Sequence, residues 1–363
     1  MSSKSKRKIY LTLLFSAGLI GILFLLPKIM LYWSGMTKTA NSESKKFLIK
    51  SQVSIEILAD QLYDEGIISN KSDFLKVAAY KKLSTKRIAI GMYEIAPQTD
   101  LRSLLNGFTL NAAGNGNAEI EIPVTFNNCR TIYDMAEKVS RCLALDSASL
   151  ISLLQDKRNL AKYGFSLEQL PAMFIPNTYN MFYDTDEQEF VQRMANEFKL
   201  FWNDARKAQI SRIGLQTPSE VSTLASIVYG EQSVNADEWP IIAGLYLNRI
   251  KKGIKLQSDP TFKFCWGDQL NGVQRLLAIH RNIDCPYNTY KIKGLPPGPI
   301  NMPPSAVLDA VLNAADVNFI FMCAKPDYSG RHNFAVTGEE HMRNARIFQN
   351  WLTLEQKKKK QKK

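Results

Sequence analysis

Hydrophobic and polar positions give the chain three textures. The first is an apolar run of 18 residues without a charge, Ile9 to Leu26, followed by Pro27, Lys28 and Ile29-Met-Leu-Tyr-Trp33. At the helical rise the run covers roughly 27 Å, close to the hydrocarbon thickness of a bilayer. Tyr32 and Trp33 stand where interfacial aromatics belong. The run is longer than the apolar region of a cleaved leader, and Leu25-Leu26-Pro27-Lys28 offers no small-x-small cleavage site. The pattern predicts an uncleaved transmembrane helix over 9–33. Positive residues precede it, so residues 1–8 are expected in the cytoplasm and the rest outside.

The second texture begins after a polar tether, 34–46, and covers 47–155 with short elements of mixed type. Phe47-Leu-Ile-Lys50 reads as a strand. Ile55, Ile57, Leu58 and Leu62 have helical spacing, ending near Gly66. Phe74–Ala79 is a second helix, Gly91–Ile95 a strand and Leu101–Leu105 a third helix ending at Gly107. Asn111–Asn117 is a flexible break, Ala118–Val124 a strand and Thr131–Val139 a helix. The order strand, helix, helix thus occurs twice, from about 47 and about 119, as a diverged repeat would have it.

The third texture, 156–354, alternates long helical patterns (187–205, 218–230, 238–252) with stiff loops, Leu256-Gln-Ser-Asp-Pro-Thr261 and Gly294-Leu-Pro-Pro-Gly-Pro-Ile300. Rigid polar loops are where binding residues usually sit. A basic tail, 355–363, closes the chain. The fold class expected is α+β: a single N-terminal transmembrane helix, a small α+β domain and a larger one.

Charge changes this picture little. The net charge is +12, but ten positive residues lie in the first eight and last seven positions, leaving a middle near +2 with no basic stripe. Nucleic acid is therefore not an expected partner. The five cysteines would meet an oxidising compartment if exported. Cys129 with Cys142, and Cys265 with Cys285, are both possible disulfides, and spacing does not fix the connectivity. Cys323 sits in an apolar run and reads as a buried thiol. None has C-x-x-C spacing, so no metal site and no cofactor are expected.

One position breaks its own pattern. Leu224, Ile227 and Val228 form an i, i+3, i+4 stripe, and the i+7 position is Glu231. A carboxylate on an apolar face is either paired or holds its proton to high pH. A structural Glu is the plain alternative; a general acid is the other.

Leu224-Ala-Ser-Ile-Val-x-x-Glu231 resembles the catalytic helix of the endolytic murein (peptidoglycan) transglycosylases. Leu247-Asn-Arg-Ile250, Leu256–Thr261, Tyr287-Asn-Thr-Tyr290, Gly294-Leu-Pro-Pro-Gly298, His332-Asn-Phe334 and His341 follow in that family's order. The resemblance covers essentially the whole chain, with 47–155 similar to a LysM-like domain carrying Gly91-x-Tyr93. It implies an inner-membrane enzyme with a periplasmic catalytic domain. Such an enzyme cuts nascent glycan strands between N-acetylmuramic acid and N-acetylglucosamine, leaves a 1,6-anhydro-muramyl end and terminates elongation. A peptidoglycan synthase is an implied partner. Glu231 matches the catalytic Glu, acting as acid and then base, so a second carboxylate is not required. Gln257, Asp259, Tyr287, Asn288 and Tyr290 are the expected sugar contacts. His332 is a further candidate, against the ordinary case of a structural histidine. Asn248 and Arg249 read as scaffold.

Three departures stand out. Tyr229 replaces a second Glu common in the family; Pro171–Tyr179 lacks the Glu and Gly of the usual element and has Asn177 for Asp; Phe264–Pro286 is longer and bears cysteines. Two other readings remain: a non-catalytic peptidoglycan-binding scaffold, and a hydrolase pairing Glu231 with Asp259.

Overall fold

A computed structural model of the chain describes residues 3–83, 88–109, 119–270, 273 and 277–361, with side chains described at Ser16 and from Gly21 to Lys358 within those ranges. The chain forms two compact units, Met1–Pro123 with Asn180–Asp184, and Val124–Tyr179 with Thr185–Lys363. Residues 124–155, which the sequence pattern groups with the small domain, thus fall in the second unit.

In the first unit α1 (Ser3–Met36) leads into β1 (Lys45–Ile49), α2 (Ile55–Asp64), α3 (Lys71–Tyr80), β2 (Gly91–Ile95) and α4 (Leu101–Gly107). β1 and β2 pair antiparallel, with Phe47 opposite Tyr93. Strand alternation turns Phe47, Ile49, Tyr93 and Ile95 to one buried core with Leu58 and Leu62 of α2, Phe74 of α3 and Leu105 of α4. Ser54, Asn70 and Asp100 cap the three short helices by accepting from the first-turn amides. No helix among the described residues is long and apolar enough to cross a membrane. Most side chains of the Ile9–Leu26 run lie outside the described set, as do Asn111–Asn117 and Ala118.

From the end of the first unit the chain continues through β3 (Ile122–Phe126), α5 (Ile132–Ser140), α6 (Ser147–Gln155), α7 (Lys157–Tyr163), β4 (Asn177–Met181) and α8 (Glu187–Phe201). It then runs through α9 (Asp204–Arg212), α10 (Pro218–Glu231), α11 (Trp239–Lys251), α12 (Asp259–Trp266), α13 (Ala278–Arg281) and α14 (Ser305–Leu312). β5 (Phe321–Ala324), β6 (His332–Ala335) and α15 (Gly338–Gln361) complete it. Strands occur only in pairs among the described residues, β1 with β2, β3 with β4 and β5 with β6.

The pattern over 187–205 resolves into two helices, because Asn203 caps a new start by accepting from the Arg206 amide at 3.0 Å. The expected basic tail is helical as far as Gln361, a continuation of α15.

α10 is the axis of the second unit. Thr217 and Glu220 close a capping box around Pro218, which fixes the start. Val221, Leu224, Ala225, Ile227 and Val228 are fully buried. Ser219, Ser222, Thr223 and Ser226 are buried too, so the expected single stripe is in fact burial on every side. Thr223 and Ser226 turn their hydroxyls back onto helix carbonyls, which removes the cost of burying them. α11, α12 and α14 pack around this helix, and Glu231 closes its C-terminal end.

Candidate active site

Glu231 is half-buried in the wall of a cleft of about 640 Å³. Two hydroxyls reach it from different elements. Tyr246 of α11 donates to Glu231 Oε1 at 2.8 Å, and Ser258, the residue before α12, donates to the same oxygen at 2.5 Å. Oε2 has no hydrogen-bond partner among the described residues. Oε2 is thus the carboxyl oxygen left to exchange a proton with a ligand in the cleft.

Burial pushes the Glu231 carboxyl above its usual range, and the charge of Asp259 adds to the rise. Hydrogen bonds from Ser258 and Tyr246, and the nearby His332, work the other way without cancelling it. The place of Glu231 at a helix C-terminus, where the macrodipole is negative, favours the neutral form as well.

Ser258 is aimed by a buried hydroxyl network. Its amide donates to Thr289 Oγ1 at 3.0 Å, while Thr261 Oγ1 donates to the Ser258 carbonyl at 2.6 Å and lies 2.8 Å from Thr289 Oγ1. The Gln257 amide donates to the Thr289 carbonyl at 3.1 Å. Gln257 itself adopts φ +50°, a left-handed conformation rare for such a residue, held by these bonds on its C-terminal side.

Gln257, Asp259, Tyr290 and His332 line the cleft together with Glu231. Tyr290 donates to Asp259 Oδ1 at 2.5 Å. His332 Nδ1 lies 2.8 Å from Glu238 Oε2, and its amide donates to Glu238 Oε1 at 3.0 Å, which leaves Nε2 as the ring nitrogen for the cleft. Burial alone would push the Glu238 carboxyl up, but the His332 and Gln232 hydrogen bonds outweigh it and hold Glu238 below its usual range.

Two expected contacts are elsewhere. Tyr287 does not line this cleft; its ring packs on Phe264, centroids 4.7 Å apart, beside a separate cavity. Asn288 is fully buried, donating to the carbonyls of Arg281 and Ile283 at 2.9 and 2.8 Å. Both shape the loop that presents Thr289 and Tyr290. Asn248 binds the Val317 and Phe319 carbonyls. Arg249 binds those of Ile320, Lys255 and Leu256, so both are scaffold.

Cys265 and Cys285 form a disulfide. Cys129 and Cys142 are free thiols, which corrects the expectation of a bond there. The reason is α5, whose nine residues hold its ends about 12 Å apart. Cys323 is a free, half-buried thiol on β5, pushed up by burial. No group of three or more His, Cys, Asp or Glu side chains among the described residues is placed to hold a metal.

Tyr246, Ser258, Thr289 and Glu238 escaped sequence reasoning as functional residues. A signal existed for two of them. Ser258 and Thr289 sit in the two polar loops already singled out, each between residues chosen as sugar contacts.

The second unit therefore places one carboxyl, pushed above its usual range, on the wall of a cleft with amide and aromatic side chains around it, the arrangement a general acid requires. Residues 47–347 match the YceG-like family, and the chain belongs to that family. It is 22% identical over 365 residues to the endolytic murein transglycosylase of Streptococcus pneumoniae (strain ATCC BAA-255 / R6), covering 93% of this chain and 63% of that protein. The chain thus spans less than two thirds of that relative's length. The enzyme of the same description from Bacillus subtilis (strain 168) is 24% identical over 333 residues, with 86% and 87% covered. The crystal structure of a yceG-like protein from Listeria monocytogenes shares the fold, with a TM-score of 0.54 at 22% identity over 84% of this chain and 99% of that one.

Proposed function

We propose that this chain is an endolytic murein transglycosylase, a lyase that cuts glycan strands between N-acetylmuramic acid and N-acetylglucosamine. The observation that carries this reading is the placement of Glu231: a carboxyl in the wall of the cleft, pushed above its usual range by burial, with both protein hydroxyls on Oε1 and none on Oε2. Asp259 is the only other acid lining the cleft among the described residues, and it is engaged by Tyr290. A hydrolase needs a second carboxylate to activate water or attack the sugar. A single acid suffices when the nucleophile belongs to the substrate.

In this mechanism Glu231 gives its Oε2 proton to the glycosidic oxygen as the C1–O bond breaks. The muramyl C6 hydroxyl closes onto C1, and its proton returns to the Glu231 carboxylate. The products are a 1,6-anhydro-muramyl end and a free 4-hydroxyl, with no water consumed and the acid regenerated. Ser258 and Tyr246 steady the carboxylate in the half-reaction where it is charged. Gln257, Tyr290 and His332 hold the sugars, with Asp259 orienting Tyr290. The scaffold alternative lacks a use for a carboxyl in this state.

The first unit is proposed as a LysM-like glycan-binding domain, supported by Gly91-x-Tyr93 on β2, paired with β1. The 9–33 segment is proposed as an inner-membrane anchor with residues 1–8 cytoplasmic and both units outside, on the strength of its 18 uncharged residues. Cleavage of nascent strands beside a synthase in that membrane would terminate elongation.

The test is digestion of purified sacculi by the full-length chain and by its Glu231→Gln variant, with products read by mass spectrometry. Anhydro-muramyl ends from the parent alone support the reading; reducing ends would make the protein a hydrolase. Ser258→Ala is expected to slow turnover about 10- to 100-fold through loss of a hydrogen bond to a charged group. Because that bond favours the ionised form, its loss should also move the basic limb of the pH–rate profile upward. A limb that stays in place would remove Ser258 from the role of tuning the acid.

A further inference from the structure

We propose that Arg281 is a specificity-determining residue that recognises a carboxylate of the muramyl unit. The inference rests on the reading of the cleft as a murein site. Arg281 ends α13, inside the long segment 264–286 that the Cys265–Cys285 disulfide closes. That segment is where the sequence departs from the family pattern, so Arg281 belongs to a feature of this chain rather than to the shared motifs. The side chain nonetheless reaches the cleft that holds Glu231.

Its geometry is that of a cation braced but not satisfied. The nearest carboxylate contact is Arg281 Nε to Asp259 Oδ1 at 3.7 Å, beyond hydrogen-bond distance. That oxygen already accepts from Tyr290 at 2.5 Å. The guanidinium lies over the Tyr290 ring, 5.5 Å from its centroid. Nη1 and Nη2 meet no acceptor among the described residues, and the side chain is 46% exposed. An Arg committed to a structural pair would show a bidentate fork at ordinary distance. Arg206 does so on Asp309, at 2.9 and 3.2 Å.

The other arginine in the cleft cannot do this work. Arg249 is 8% exposed and spends its guanidinium on backbone carbonyls. Lys255 likewise donates to the Tyr290 carbonyl. Of the two arginines lining the cleft, Arg281 is the one with donors to spare. The ligand chemistry that matches is a carboxylate, and muramyl units carry one in either of two forms. The lactyl group is a free acid when the strand is denuded, and where a stem peptide is attached the peptide supplies carboxylates of its own. Such a contact would select muramyl-containing strands over neutral polymers of N-acetylglucosamine.

The experiment measures strand binding in the full-length Glu231→Gln background, so that it does not depend on turnover. Soluble peptide-bearing strands, denuded strands and the same two preparations with carboxylates converted to methyl amides are the probes. Arg281→Ala is expected to weaken binding about tenfold on at least one native preparation and to leave binding to its amidated counterpart unchanged. Arg281→Lys should recover only part, because an ammonium cannot offer the planar fork. Loss on denuded strands identifies the lactyl carboxylate; loss confined to peptide-bearing strands identifies the peptide. Equal binding by both proteins to every native strand, or equal weakening on native and amidated strands, overturns the proposal. If these binding contrasts hold but the unmutated protein yields no anhydro-muramyl ends, the transglycosylase reading fails while the carboxylate contact stands.

Discussion

Glu231→Gln is expected to lower the rate of glycan cleavage by at least about 10³-fold and to raise the melting temperature at neutral pH. The two effects have one cause. In the folded protein burial holds the carboxyl above its unfolded value of about 4.3. Across the window from that value up to the folded one, the unfolded chain has released a proton that the folded chain still binds. Stability therefore declines as pH rises through the window, and the loss is complete above it. Glutamine does not ionise and escapes the decline. Its carbonyl still accepts from Ser258 and Tyr246, and its amide takes the place of Oε2, which has no partner to lose. Melting curves from pH 4 to pH 8 check this: the variant and parent should converge at the acid end and separate as pH rises, the variant higher. Separation in the opposite direction would mean that the fold stabilises the charged carboxylate, and Glu231 would then be a poor acid.

How far this site was legible varies by residue, and the differences are physical. Glu231 stood out because helical period and residue type disagreed at one position. Yet the burial of α10 was underread, since Ser219, Ser222, Thr223 and Ser226 look like a wet face to any pattern of polar and apolar letters. The Thr223 and Ser226 hydroxyls are absorbed by carbonyls of the helix itself, which no periodicity reveals. Tyr287-Asn-Thr-Tyr290 was legible as a block, but its four side chains go to four environments. Tyr287 faces another cavity, Asn288 binds its own loop, Thr289 orients Ser258 and Tyr290 reaches Asp259. Type and spacing locate such a segment without saying which side chain faces the ligand. The cysteines teach the reverse case. Cys129 and Cys142 lie beyond opposite ends of α5, a helix about 12 Å long, which weighs against that pairing, and both are free thiols.

The rigid loop from Gly294 to Ile300 was expected to bind, and none of its residues lines the cleft; its part is to brace α10. The Ile300 amide donates to Ser226 Oγ at 3.0 Å, and Asn301 Nδ2 donates to the Ser226 carbonyl at 2.8 Å. One turn further on, the bare face of Gly230 lets Pro260 approach, where a Cβ would lie 2.9 Å from the proline ring. Pro296 and Pro297 stiffen the approach to Gly298, and a Cβ there would fall 1.8 Å from the Glu168 carbonyl oxygen. Both sides of that clash are backbone, so neither can rotate away. Gly298→Ala is therefore expected to cost about 3 kcal/mol, the upper end for overpacking. That corresponds to a fall in melting temperature on the order of 10 °C. Gly294→Ala is the control, since its φ of +77° carries a backbone penalty but nothing lies within 4 Å of the added carbon. It should cost only about 1–2 kcal/mol. Denaturant unfolding of the two variants decides the matter. A Gly298 effect no larger than the Gly294 effect would show that the loop yields, and that α10 holds Glu231 in place without it.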